Sequence, residues 1–152
     1  MVDILHRVGA LAPLEKVYEA IATPDGVASW WTKDTTGEGT VGSTLTTTFN
    51  DAAGKRLGAF ELEITELDPA GSVDWLVTAG PDEWIGTHIH FDLKEEDGFT
   101  IVLFGHTGWK EPVEFMNHCS TKWATFLMSL KRFVETGTGE PSPHDVQISN
   151  WH

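Results

Sequence analysis

Cysteine and tyrosine occur once each in this 152-residue chain, as Cys119 and Tyr18, and basic residues are scarce, with ten Lys and Arg against 23 Asp and Glu. A single cysteine excludes an intramolecular disulfide. A formal charge of −13 repels phosphate backbones and anionic headgroups, so neither nucleic-acid nor membrane-surface partners are expected. No apolar run approaches a membrane span, and residues 1–13 lack the apolar core of a signal peptide. Cytoplasm is the expected compartment. The sequence also lacks a Gly-rich phosphate loop, a metal motif and a nucleophile elbow, so no cofactor is expected. What remains is enough for a folded core: hydrophobic residues make up 40% and charged residues 22%, which argues against disorder. Seven tryptophans are the unusual feature, suited either to a large core or to the walls of a ligand cavity.

No repeat or linker divides the chain. Residues 3–8 alternate as a strand. Pro13 suits a first helical position, and Leu14, Val17, Tyr18 and Ile21 follow at helical spacing. Thr23 and Pro24 then read as the cap and first residue of a short second helix ending near Trp30 and Trp31. The Thr- and Gly-rich stretch 32–42 reads as a loop. Five strand-like segments follow, at 43–49, 57–67, 73–78, 84–93 and 99–107, with separators short enough for hairpins. From 112 to 136 the period becomes helical: Met116, Cys119, Trp123, Phe126, Leu127, Leu130 and Phe133 form one stripe, and Lys122, Ser129, Lys131 and Glu135 lie largely off it. Pro112 suits the start of that helix and Gly137 its stop. The expected fold is α+β, a curved antiparallel sheet of about six strands gripping the long C-terminal helix. Residues 1–137 are expected to be one domain and 138–152 a tail packed on it, with Ile148 and Trp151 as anchors.

Strand, two short helices, antiparallel meander and long helix is the helix-grip order. Here the sequence resembles the START-related superfamily that includes the birch pollen allergen (SRPBCC). Within it, the chain is similar to the AHSA type, homologues of the heat-shock-chaperone ATPase activator. The likeness is carried by Ala12-Pro13 with Val17-Tyr18, by Trp30-Trp31, by Trp84 to Thr87 leading into Phe91-Asp92-Leu93, and by Gly105 to Trp109. The resemblance implies a cavity between sheet and helix that takes a small hydrophobic molecule. Some related proteins are cyclases, and the eukaryotic activator binds a chaperone.

Parity places Trp75, Ile89, Phe91, Val102, Phe104 and His106 on the concave face, opposed by Phe115 or Met116, Cys119 and Trp123. Taken with the resemblance, these residues are the expected ligand walls, and Trp30 with Trp31 is either a gate or a plug. His106 is the titratable side chain among them, an acid/base group in a cyclase-type reaction or a core histidine bonded to a carbonyl. Cys119 is a nucleophile beside His106 or His118, or simply a small buried hydrophobe. His88, His90 and Asp92 share the opposite strand face at a spacing that can present two imidazoles and a carboxylate to a metal, but a solvated polar face explains them without one, and no metal is expected. Ile101 and Leu103 make the last strand apolar on both faces, so a homodimer is expected to cover one of them unless the tail does. The leading expectation is a small-molecule binder. A cyclase-type enzyme using His106 and a chaperone-associated interaction module are its rivals, and nothing in the residues specifically supports a chaperone partner.

Overall fold

The computed structural model describes residues 1–152. The elements run β1 (Val2–Ala10), α1 (Leu14–Ala22), α2 (Pro24–Ala28), β2 (Asp34–Thr36), β3 (Thr44–Asn50), β4 (Arg56–Asp68), β5 (Ser72–Ala79), β6 (His88–Glu96), β7 (Phe99–Trp109) and α3 (Glu114–Thr136). The strands form one seven-stranded sheet in the order β1-β7-β6-β5-β4-β3-β2, every pair antiparallel. The α+β helix-grip architecture expected from the sequence is the observed one.

Three local readings shift. The seventh strand, β2, lies inside the stretch expected to be loop. It has no apolar alternation of its own, and its place is set by pairing with Thr46–Thr48 of β3 and by the Thr32 hydroxyl donating to Thr48 O at 2.6 Å. Pro13 is the N-cap of α1 rather than its first helical residue, and Pro112 precedes the Val113 cap of α3. Strand β6 begins four residues later than expected, at His88. Residues 84–87 form a turn, in which Trp84 N donates to Pro81 O and Thr87 N to Trp84 O, with Gly86 at φ 87°.

The helix signals at Thr23 and Gly137 act as their chemistry dictates. The Thr23 hydroxyl accepts from Gly26 N at 3.0 Å, and Gly137 ends α3 in the left-handed conformation that glycine adopts without Cβ strain. Gly26 also permits a close approach: a Cβ there would stand 2.5 Å from Glu19 O, so α2 packs on α1 with no space for a side chain.

Cys119, Trp123, Phe126, Leu127, Leu130 and Val134 of α3 are buried against the sheet's inner face of Leu62, Ile64, Val73, Trp75, Val77, Ile89, Phe91, Val102 and Phe104. Ser129, expected off the stripe, is buried because its hydroxyl donates to Trp30 O at 2.9 Å and accepts from Glu140 N at 2.7 Å. That second bond starts the tail along the outer side of α3. Ser142 N then donates to Trp31 O, Lys33 N to Ser142 O, and the Lys122 ammonium holds Asp145 at 2.5 Å. Pro141, Ser142 and Asp145 are the tail's anchors; Trp151, expected among them, is 47% exposed.

The helices do not cover the sheet evenly. Helix α3 lies toward β1, and α1 toward β5 and β6. Leu45, Leu62 and Ile64 are buried in the core, but toward Phe49 and Phe60 the inner face of β3 and β4 is left partly uncovered.

Candidate functional site

A cavity of about 560 Å³ opens over that uncovered part of the sheet. Phe49 of β3 and Phe60 of β4 form its floor, and Phe115, Cys119, Lys122, Trp123 and Phe126 of α3 one side. Trp31, His118, the turn residues Gly80, Pro81 and Trp84, and Asp145, Trp151 and His152 of the tail also line it. Four of these rings lie nearly parallel: Trp31 to Phe60 at 7°, Phe60 to Trp84 at 12°, Trp84 to Trp123 at 19°, and Trp123 to Trp31 at 29°. Their centroids are 4.3–6.3 Å apart, so the wall presents stacked aromatic faces and edges.

Of the residues anticipated from the sequence, Phe115, Cys119 and Trp123 line this cavity. Trp75, Ile89, Phe91, Phe104 and His106 do not; they form the solid core between α3 and strands β5–β7. Trp30 sits in that core too, its indole N–H donating to Ala20 O at 2.9 Å, while its neighbour Trp31 faces the cavity. The separation has a first cause in how faces are assigned. Parity identifies which side chains point inward, but not which inward side chains a helix then covers.

Trp84 shows a second cause. As part of β6 it would share parity with His88 and His90 and point outward. The turn closed by Gly86 reverses it, so that its ring stacks on Phe60 at 4.3 Å and lies edge-on to His106 at 4.5 Å. The signal that could have found it is Gly80-Pro81 with Gly86, two turn formers bracketing the tryptophan.

His106 is fully buried, and both its ring nitrogens are occupied. Indole can only donate, so Trp123 Nε1–H donates to Nδ1 at 3.1 Å and the ring proton must sit on Nε2. Nε2–H then donates to the Thr87 hydroxyl at 2.8 Å, which donates to Trp84 O at 2.5 Å. Burial pushes the imidazole down to about 3, so it is neutral at physiological pH. A neutral, doubly bonded ring outside the cavity has neither the free nitrogen nor the access that acid/base catalysis requires.

Cys119 borders the cavity, but burial drives its thiol up to about 12 against a smaller lowering by the adjacent Trp84 indole. It is a thiol, not a thiolate, and a poor nucleophile. His118 is held below the usual histidine range by burial, then by Lys122 and His152.

On the outer face, the Asp74 carboxylate of β5 joins the residues singled out for a metal. His88 Nδ1 lies 2.7 Å and His90 Nδ1 2.9 Å from its two oxygens, and His90 Nε2 is 3.1 Å from Asp92 Oδ1. Burial opposes ionisation of Asp74, but hydrogen bonds from Thr65, His88 and His90 hold its carboxyl below the ordinary value. Burial likewise opposes the charge on His90, and the bonds to Asp74 and Asp92 raise it above the usual histidine value. The donors point at one another, and no three His, Cys, Asp or Glu side chains are arranged to hold an ion.

Residues 11–135 match the family described as Activator of Hsp90 ATPase homolog 1-like protein. The Aha1 dimer from Colwellia psychrerythraea, solved in solution, is 44% identical, covers 91% of this chain and 100% of its own, and superposes with a TM-score of 0.78. The chain belongs to the AHSA1 family. AHSA1 proteins fall within the SRPBCC superfamily that the sequence resembles. CalU16 from Micromonospora echinospora, at 18% identity, covers 97% of this chain and 74% of its own with a TM-score of 0.75. Protein BH1534 of Bacillus halodurans, at 23%, covers 89% and 98% with a TM-score of 0.68. At those identities the likeness is one of fold. No curated protein matches the chain. The AHSA1 match stops at residue 135, so Asp145, Trp151 and His152 of the cavity wall lie beyond it. No helix is long and apolar enough to cross a membrane.

Proposed function

We propose that this AHSA1-family protein binds one small hydrophobic molecule in the cavity between β3–β4, α3 and the tail. The observation that carries this is the cavity itself. Its volume of about 560 Å³ lies within the range of small-molecule sites, and aromatic walls combined with a few polar groups suit a ligand that is desolvated on one side and oriented on the other. Trp31, Trp84 and Trp123 lie in the wall, so occupancy changes their emission. A thermal-shift and tryptophan-fluorescence screen against fatty acids, polyketides, flavonoids and sterols is expected to give a saturable response. Stabilisation should reach about 2.7 kcal/mol at a hundredfold excess over the Kd. A folded protein that responds to none of them refutes the proposal and leaves a protein-interaction module, the kind of role that the family description names.

A homodimer is the second part of the reading. The Colwellia relative is a dimer, and the outer face of β1 and β7 leaves Leu5 70% and Leu103 39% exposed on adjacent strands. The tail does not cover them; it lies along α3 and the cavity. Light scattering at micromolar concentration is expected to give twice the chain mass, and Leu5→Glu with Leu103→Glu to halve it. A monomeric wild-type protein removes this part.

A further inference from the structure

Three polar atoms of cavity-lining residues are buried without a hydrogen-bond partner, Trp84 Nε1, His152 Nε2 and Asp145 Oδ1, and the carboxylate oxygen is the one that can only accept. Lys122 Nζ donates to Asp145 Oδ2 at 2.5 Å and to Val146 O at 2.8 Å. The other carboxylate oxygen, Asp145 Oδ1, is buried with no hydrogen-bond partner on a side chain only 4% exposed. His152 Nε2 is buried and unpaired as well, 3.9 Å from Asp145 Oδ2. A bare carboxylate oxygen out of water requires a donor. Lys122 and Asp145 already sum to zero charge, so a cationic ligand would leave an excess charge in a buried place and an anionic one would face the bare oxygen. A neutral donor satisfies the site without either cost. The rings of Trp31, Phe60, Trp84 and Trp123 stack on one another, and a flat ring laid against the cavity side of that stack would extend it.

We propose that the ligand is a flat, ring-containing molecule bearing a neutral hydroxyl, and that Asp145 Oδ1 accepts its hydrogen bond. This rests on the cavity-binding reading above and narrows it to a chemical class. Asp145 lies outside the family match, so the selection belongs to this chain's tail rather than to the family as a whole. Asp145 lines the cavity, and its Oδ1 is shielded from bulk solvent.

Tryptophan-quenching titrations with β-naphthol and its methyl ether test this directly, because the two share a ring and differ in the donor. Wild-type protein is expected to bind the naphthol about tenfold more tightly, the size of one hydrogen bond to a charged group. In Asp145→Asn, Lys122 retains the amide oxygen and the NH2 turns to the ligand, so the preference should vanish or reverse. Equal binding of both probes by wild-type protein overturns the inference even if the variant fails to fold, and so does a folded variant that keeps the preference. Binding of neither probe, nor of naphthalene, instead counts against the cavity reading itself.

Discussion

Acidification is expected to destabilise this protein from about pH 6.5 downward, far above the range in which its carboxylates protonate. In the unfolded chain His106 takes up a proton near the ordinary histidine value. In the folded chain burial defers that to about 3, and the Trp123 indole N–H already points at the nitrogen where the proton would go. Between those limits the unfolded state binds one more proton than the folded state, so stability rises with pH. The contribution is complete above about 6.5 and is lost toward 3 at up to about 1.4 kcal/mol per pH unit. Other groups titrate in the same experiment. Asp74, whose folded value is lowered, adds a loss at still lower pH, and His90, whose folded value is raised, partly offsets the His106 loss. The quantity to compare is therefore the difference in unfolding free energy between wild type and His106→Gln, measured in urea from pH 7.5 to 4.5. That difference should shrink by close to one proton's worth per pH unit below about 6.5. Parallel curves, or an imidazole whose nitrogen shifts titrate near 6.5 in the folded protein, would show that the ring is not held neutral.

Trp123→Ala is expected to be the most damaging single substitution. The side chain is almost fully buried, stacks on Trp31 at 5.1 Å, packs tilted against Phe104 at 4.6 Å, and supplies the only donor to His106 Nδ1. Truncation of a buried tryptophan costs about 3–5 kcal/mol, and stranding a buried acceptor adds about 1–3. Against a typical total of about 5–15 kcal/mol, that removes a large share of the stability. Trp123→Phe divides the effect, because it retains most of the ring and loses the N–H; it should cost about 1–3 kcal/mol. An unfolding free energy for the alanine variant within about 1 kcal/mol of wild type, at unchanged slope in urea, would falsify the view that this ring joins core and cavity.

The fold was legible because its signals are periodic and local. Alternation in Phe60, Leu62 and Ile64 and in Val73, Trp75 and Val77 reports burial on one sheet face, and the stripe through Cys119, Trp123 and Leu130 reports the helix that covers it. Thr23 and Gly137 carry their cap chemistry in a single residue each. These depend on neighbours a few positions away, so the sequence alone determined them. It also supplied the charge that disfavours anionic partners, and the residues through which the family resemblance was recognised.

The site was legible only in part. Phe115, Cys119 and Trp123 were identified because they lie on the helix stripe. Phe49, Phe60 and Trp31 were visible as inward or junction residues but not as cavity walls, since that depends on α3 lying toward β1 and leaving the Phe49 and Phe60 end of β3 and β4 partly uncovered. Trp84 was hidden by a turn that reverses its side, and Asp145 by its position in a tail with no periodicity. Asp74 and His90, sixteen residues apart, meet only through the β5–β6 register, as do His106 and Trp123 through the seating of α3 on the sheet. The sequence settled which residues must leave water, because hydrophobicity is a property of each side chain. Tertiary structure decided which of them pack into solid core and which border a void, because that depends on the space left between elements distant in the chain.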